Sequence, residues 1–148
     1  MYESKLTRQA LPEKEYRELL GTALCVFNSN TSFVIENILH SNSSYDWYKL
    51  IDQEAGRLCK PIEATISMRA GDEILNLFKI IIEQRNRIVH SFQITDNDGE
   101  QRLATKTKIE DGNEQFIITE KYLKDFIKLN ENLCLKLHQY RDNLGQAI

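Results

Sequence analysis

The sequence predicts a mainly helical fold, a bundle of helices with a small three-stranded antiparallel meander before the last helix. Long stretches repeat apolar residues every three to four positions, which is the period of an amphipathic helix. One stretch changes to an alternating pattern between two Asp-Gly turn signals, as strands joined by tight turns do. A length of 148 residues suits one continuous core, so we expect residues 1–148 to form a single domain.

The composition is that of an ordinary globular protein. The chain is 41% hydrophobic and 28% charged, with 6 glycines and 2 prolines, which argues against disordered or fibrous classes. The net charge of -3 means that any contact with nucleic acid must use a local basic patch. The 3 cysteines lie far apart, so neither a disulfide framework nor a metal site is indicated, and no cofactor is expected.

The residues that follow the first methionine favour a cytoplasmic location. The segment Met1–Lys5 lacks the apolar region of a signal peptide. No window approaches the roughly 18 apolar residues of a membrane-spanning helix. We therefore expect a cytoplasmic protein without a membrane segment.

The first helix is predicted to begin at Pro12, a favoured first-turn residue, because apolar residues recur at helical spacing from there to Leu39. The segment Asn28–Ser32 consists of side chains that compete for backbone hydrogen bonds. We expect a kink or a break there, with two shorter helices as the alternative.

A second helix is predicted from Tyr45 to Leu58, with turn and N-cap residues supplied by Ser41–Ser44. Pro61 disfavours helical geometry at the residue before it, Lys60, so residues 61–70 favour a short helix at most. The pair Gly71-Asp72 is typical of a helix stop followed by a new N-cap.

A third helix carries its apolar residues on one stripe from Ile74 to Val89. After it, a meander is predicted across residues 92–118, since Leu103, Thr105, Thr107 and Ile109 alternate with polar or small residues. Thr119 is expected to cap a last helix. Asn130 interrupts its apolar stripe, which indicates either a buried hydrogen bond or a polar position in an interface.

The third helix ends in the segment Arg85-Asn86-Arg87-Ile88-Val89-His90, which resembles the motif of the HEPN family. In that family an arginine, often followed by a polar residue, precedes a histidine by four to six positions. The resemblance implies a helical bundle that dimerises, with motif residues of both protomers lining one groove. It also implies metal-independent RNA cleavage that leaves a 2′,3′-cyclic phosphate, as in toxins or phage-defence effectors controlled by an antitoxin or another regulatory protein.

The resemblance implies a role for each motif residue. His90 would be the general base toward a ribose 2′-hydroxyl, because an imidazole exchanges protons near neutral pH. Arg85 would stabilise charge on the phosphorane oxygens, Asn86 would orient the scissile group or the histidine, and Arg87 would be an auxiliary phosphate contact. Arg87 has an ordinary alternative, an ion pair with Glu83 one helical turn earlier.

One feature departs from the family's pattern. HEPN toxins paired with a nucleotidyltransferase antitoxin typically carry a tyrosine two residues beyond the histidine, where its hydroxyl can be modified. This chain has Phe92 there. We therefore do not expect that form of regulation.

The second strand supplies further candidates for RNA contact. Arg102, Lys106 and Lys108 are predicted to share its exposed face, where they would bind an RNA backbone. The alternative is a solvated strand edge, because lysine commonly blunts exposed strands.

Helical geometry constrains the two central motif residues. Arg85 falls on the apolar stripe, where an unpaired guanidinium is costly to bury, so it requires a wet cleft or an ion-pair partner within the chain. His90 is rotated about 140° from Arg85 on an ideal helix. Either the helix ends by His90, or two subunits combine their residues. A histidine at a helix C-terminus is also favoured simply by the helix dipole.

Two functional hypotheses follow from the motif. The first is an RNA endonuclease, and the second is a catalytically silent HEPN-like dimeric module that binds a partner protein or a nucleotide. An Arg85 side chain sealed against an acidic residue would favour the silent module. An Arg85 and a His90 that share a solvent-reachable groove would favour the nuclease.

Overall fold

The computed structural model describes residues 6–146, so the segment Met1–Lys5 considered above for a signal peptide lies outside the described residues. The fold is mainly helical, and a three-stranded antiparallel sheet precedes the last helix, as predicted. The helices are α1 (Lys14–Ser41), α2 (Trp47–Ile51), α3 (Cys59–Ala64), α4 (Ile66–Ala70), α5 (Glu73–Val89) and α6 (Glu120–Gln146). The strands are β1 (Phe92–Thr95), β2 (Gln101–Lys106) and β3 (Gln115–Ile118).

Helix α1 is continuous through the segment where a break was expected. The side chains that could compete with the backbone have other partners. Thr31 Oγ1 donates to the Phe27 carbonyl one turn earlier at 3.0 Å. Asn30 points across the bundle, and its Nδ2 donates to the carbonyl oxygen of Asn130 at 2.8 Å and to its Oδ1 at 3.0 Å. The two buried asparagines therefore join α1 to α6, and Asn130 has its hydrogen bonds within the chain.

The predicted second helix from Tyr45 to Leu58 is wrong. The five-residue α2 is followed by a turn and a short 3-10 helix over Ala55–Leu58. The N-cap is Asp46, whose Oδ1 accepts from the Tyr48 amide at 3.0 Å. None of the serines in Ser41–Ser44 is the N-cap of this helix. The Ser44 amide donates to Asn42 Oδ1 in the turn that precedes it.

Lys60 is helical, contrary to the expectation from Pro61. Pro61 lies in the first turn of α3, where backbone amides have no partner within the helix, so the missing N–H costs nothing. Gly71, with φ of 82°, ends α4 in a conformation that favours glycine. Asp72 occupies the N-cap position of α5, but its side chain makes no capping hydrogen bond.

The meander has the strand order β1-β2-β3 with both neighbouring pairs antiparallel, as predicted. Strand β2 is shorter than expected, because it ends at Lys106. Lys108 and Ile109 belong to a turn that includes a 3-10 helix, and Ile109 is 78% exposed there. Ala104 is the small residue that alternates with Leu103 and Thr105, and the alternation predicts it on the exposed face, but it is buried together with Thr105.

Three long helices form the core of the bundle. Helices α1 and α6 run parallel, since Asn30 contacts Asn130 and the Ser41 hydroxyl lies 2.5 Å from that of Tyr140. Helix α5 runs antiparallel to α6, because the hydroxyl of Tyr122 near the start of α6 donates to the Gln84 carbonyl near the end of α5. The C-terminal end of α5 therefore lies at the same end of the bundle as the sheet.

Candidate functional site

The motif forms the last turn of α5, which ends at Val89. The amide of His90 still donates to the Asn86 carbonyl at 3.0 Å, but the His90 backbone, with φ of -98° and ψ of 30°, leaves the helix. Ser91 Oγ closes the end by donating to the Ile88 carbonyl at 2.6 Å. The helix thus ends by His90, which is one of the two geometries expected.

Arg85 is half-buried and lies against α1. Its guanidinium carbon is 4.9 Å from the ring centre of Phe27, and its Nε is buried without a hydrogen-bond partner. Among residues 6–146 no carboxylate lies within ion-pair distance of it. The ordinary alternative, an intramolecular ion pair, is therefore absent from this part of the chain. A half-buried cation without a counter-charge is suited to an external anion.

His90 is exposed, and its ring takes part in no hydrogen bond with any other described residue. Asn86 is half-buried, and its side-chain amide is likewise free of hydrogen bonds within residues 6–146. The end of α5 thus carries an exposed imidazole, a polar amide and an unpaired guanidinium. In general, a histidine can act as an acid or a base, and an arginine can stabilise negative charge that develops in a transition state.

Arg87 is engaged within the fold. Its Nε lies 3.3 Å from Glu83 Oε1, as an ion pair without aligned hydrogen-bond geometry, and its Nη1 donates to the Lys106 carbonyl. Burial raises the pKa of the neighbouring Tyr122 to about 12, with Arg87 lowering it and Glu83 raising it. Arg87 therefore forms the ion pair with Glu83 that was predicted as its alternative role. Its hydrogen bond to the Lys106 carbonyl connects α5 to the end of β2.

Arg102 is also neutralised inside the protein. Its guanidinium carbon lies 4.8 Å from the ring centre of Tyr16, and its nitrogens lie 3.0 Å from Glu13 and 3.9 Å from Asp96. The Tyr16 hydroxyl donates to the Ile118 carbonyl at 2.6 Å and accepts from the Leu103 amide at 3.1 Å. Burial is the main cause that raises the pKa of Tyr16. This junction joins the start of α1 to the sheet.

The structure does not assemble the expected basic row on β2. Lys106 is exposed, and its Nζ donates to Asn113 Oδ1 at 2.9 Å. Lys108 is exposed but lies beyond the strand, before a turn that carries Glu110 and Asp111. Of the three cations predicted for this strand, Lys106 is the one that is both in β2 and exposed.

A cleft of about 390 Å³ lies away from the motif, at the start of α5, lined by residues that include Arg69, Glu73, Lys136 and Tyr140. Glu73 and Arg85 are separated by about 18 Å along the helix, at 1.5 Å per residue. The cleft is therefore distinct from the motif. Within residues 6–146 no three His, Cys, Asp or Glu side chains are grouped as metal ligands.

Sequence reasoning missed Tyr16, Glu13 and Phe27 as partners of the arginines. Nothing in the local pattern marks them, because Glu13 and Arg102 are 89 positions apart in the chain.

Comparisons with known protein families, curated proteins and solved structures find no match. In the described part of the chain, no helix has an apolar stretch sufficient to cross a bilayer.

Proposed function

We propose that this protein is a metal-independent RNA endonuclease of HEPN type, with His90 as the general base and Arg85 as the phosphate stabiliser. The observation that carries the proposal is the unpaired, half-buried guanidinium of Arg85, five residues before an exposed histidine. The other two arginines predicted to contact RNA, Arg87 and Arg102, have carboxylate partners. Arg85 is thus the member of this set whose charge is available to a phosphate.

The environment of Arg85 supports an anion as its missing partner. The Nε of Arg85 is buried, so an external phosphate would contact the two terminal guanidinium nitrogens, to which it would offer charge-assisted hydrogen bonds. The ring of Phe27 restrains the guanidinium on one side. The planar fork of arginine can hold two phosphate oxygens, whereas lysine offers a point charge.

The proposed reaction is a transesterification. His90 accepts the proton of a ribose 2′-hydroxyl, and the freed oxygen attacks the adjacent phosphorus. The bond from phosphorus to the 5′-oxygen breaks, and that oxygen takes a proton from the His90 imidazolium or from water. Arg85 stabilises the charge on the phosphorane oxygens, and Asn86 orients the scissile group. The products carry a 2′,3′-cyclic phosphate and a 5′-hydroxyl.

The proposal includes a homodimer that brings the motif ends of two α5 helices together. Val89, the last residue of α5, is 44% exposed beside His90, and burial in a second copy would remove this apolar surface from water. We further propose a cytoplasmic toxin or phage-defence effector held in check by an antitoxin or regulatory protein. A monomeric mass by light scattering at micromolar concentration would contradict the dimer.

The decisive experiment incubates purified protein with total RNA in the presence of a chelator. We expect cleavage with 2′,3′-cyclic phosphate ends, and we expect His90→Ala to slow it by roughly 10²- to 10⁴-fold, the usual contribution of a positioned general base. His40→Ala is the matched control, since His40 is an exposed histidine in the last turn of another helix, α1. Cleavage that is equal in His90→Ala, or abolished by the chelator, would leave a catalytically silent interaction or nucleotide-binding module as the better account.

A further inference from the structure

The sheet carries a row of side chains that begins next to His90. Phe92 pairs directly with Ala104, and Ala104 pairs with Ile117 on the third strand. Directly opposed residues project from the same face of a sheet, so these three side chains lie side by side and are called here the Phe92 row. Phe92 is 44% exposed and Ile117 42% exposed.

The two faces of the sheet differ in exposure. The positions that alternate with the Phe92 row include Thr105 and Ile118, and both are fully buried. Because successive residues of a strand project to opposite faces, the buried positions mark the face against the helices. Phe92 and Ile117 therefore border solvent, whereas Ala104, which lies between them in the register, is fully buried.

The position of Phe92 relative to His90 is held by the backbone. Two residues of chain span at most about 7 Å, at roughly 3.3–3.6 Å per residue. Ser91, between them, is fixed by its hydrogen bond to the Ile88 carbonyl. The Cα atom of Phe92 therefore lies within about 7 Å of the Cα atom of His90.

The ring of Phe92 has no stacking partner among residues 6–146. Phe116, on the opposite face, packs on Tyr122 with ring centres 5.9 Å apart. Lys106 projects from the same face as Ala104, two residues along β2, and is exposed. A free aromatic ring beside an exposed cation is the combination that binds a nucleobase and its phosphate.

We propose that the Phe92 row is a base-stacking platform for single-stranded RNA, on which a base next to the scissile phosphate stacks against Phe92. This inference rests on the proposed nuclease function and names its substrate class. Bases inside an A-form duplex are stacked on each other and hide their faces, whereas unpaired bases are open to an aromatic side chain. Lys106 contacts a phosphate of the same strand.

The charges at the two ends of the sheet limit the path of the RNA. The turn between β1 and β2 carries Asp98 and Glu100, and the segment between β2 and β3 carries Glu110, Asp111 and Glu114. These carboxylates repel a phosphate backbone that runs along the strands. The RNA therefore crosses the strands over the Phe92 row, and its footprint is a few nucleotides.

The test measures binding separately from cleavage. Fluorescence anisotropy follows a labelled, fully 2′-O-methylated oligonucleotide, which lacks the attacking hydroxyl and is bound without being cut. We expect the single strand to bind more tightly than a duplex of the same sequence. Phe92→Leu, which keeps an apolar side chain but removes the ring, should weaken binding by roughly 5- to 150-fold.

Two further variants test whether the effect on binding depends on the aromatic ring of Phe92. Phe92→Tyr keeps an aromatic face and should bind like the wild type. Tyr48→Leu removes another aromatic ring, 78% exposed on α2, and should leave binding unchanged. Equal binding by Phe92→Leu and wild type, or tighter binding of the duplex, would overturn the platform.

The outcomes separate this inference from the proposed function. His90-dependent cleavage together with Phe92-independent binding overturns the platform and leaves the nuclease standing. Phe92-dependent binding without any cleavage supports the platform and removes the nuclease. A dimeric wild type that becomes monomeric in Phe92→Leu would show that a second copy covers the Phe92 row, which also overturns the platform.

Discussion

Two arginines lie over aromatic rings of the same helix, α1, but in opposite electrostatic situations. Arg102 lies 4.8 Å from the ring centre of Tyr16, and Arg85 lies 4.9 Å from that of Phe27. Arg102 is neutralised by two carboxylates, the nearer being Glu13 at 3.0 Å. Arg85 has no carboxylate partner among residues 6–146, and its Nε is buried without a hydrogen bond.

The comparison shows that stacking on a ring does not by itself reveal what an arginine does. The ring restrains the guanidinium in both places, so charge balance is what separates them. With its charge neutralised within the fold, Arg102 joins the start of α1 to the hairpin. Arg85 has no such partner among residues 6–146, and this is the reason why we propose that it binds an external phosphate.

The largest expected difference between the two regions is in RNA cleavage. Arg85→Lys keeps the charge but loses the planar fork, so we expect cleavage to fall roughly 10²-fold, as when one transition-state donor is lost. Arg102→Lys should cleave within about twofold of wild type, because Arg102 contacts only groups of its own chain. The measurement is the initial rate on a single-stranded RNA, with circular dichroism to verify folding.

Equal losses of cleavage in Arg85→Lys and Arg102→Lys would contradict the proposed difference between the two arginines. They would place both arginines in the same role, either both in the site or both in the fold. A loss in Arg102→Lys alone would move the proposed phosphate contact to the sheet.

The next largest effect concerns Tyr16, which joins the start of α1 to the sheet. Tyr16→Phe removes the hydroxyl that bridges the Leu103 amide and the Ile118 carbonyl, leaving the part-buried amide and the buried carbonyl without that partner. We expect the free energy of unfolding in urea to fall by roughly 1–3 kcal/mol, the usual penalty of an unsatisfied buried group. Tyr48→Phe, at a residue 78% exposed, should leave it unchanged. A Tyr16→Phe variant as stable as wild type would show that the bridge contributes little.

A smaller effect distinguishes the two arginines in stability. Arg102→Met leaves Glu13 and Asp96 without their counter-charge, so we expect a loss of about 1 kcal/mol. Arg85→Met removes a half-buried charge that has no carboxylate partner in residues 6–146, and we expect no loss or a gain of about 1 kcal/mol. Urea unfolding of both variants is the measurement. A clear loss in Arg85→Met would indicate a structural role for Arg85.

A further expected effect is a pH dependence at Tyr122. Burial raises the pKa of Tyr122 from 10.0 to about 12, so the folded protein holds this proton more tightly than the unfolded chain. The stabilisation is complete below pH 10 and is lost as the pH rises toward 12. Tyr122→Phe should therefore lose less stability between pH 9 and pH 11 than wild type does, as measured by urea unfolding. Equal losses would mean that this hydroxyl titrates alike in both states.

Much of the fold was predictable because its signals are local. The apolar stripe of α5, the meander and its Asp-Gly turns all depend on residues within a few positions of each other. The second helix was predicted wrongly because its apolar spacing continued through residues 52–54, which form a turn. The continuity of α1 depends in part on Asn30, whose partner Asn130 is 100 positions away.

The sequence by itself determined the helical class, the position of the sheet and the arginine and histidine at the end of α5. Only the tertiary structure decided which arginine is neutralised and which aromatic ring remains exposed. The physical reason is the separation along the chain of the residues that interact. Helix and strand periods are set by neighbouring residues, whereas an ion pair such as that of Glu13 with Arg102 forms only when folding brings distant residues together.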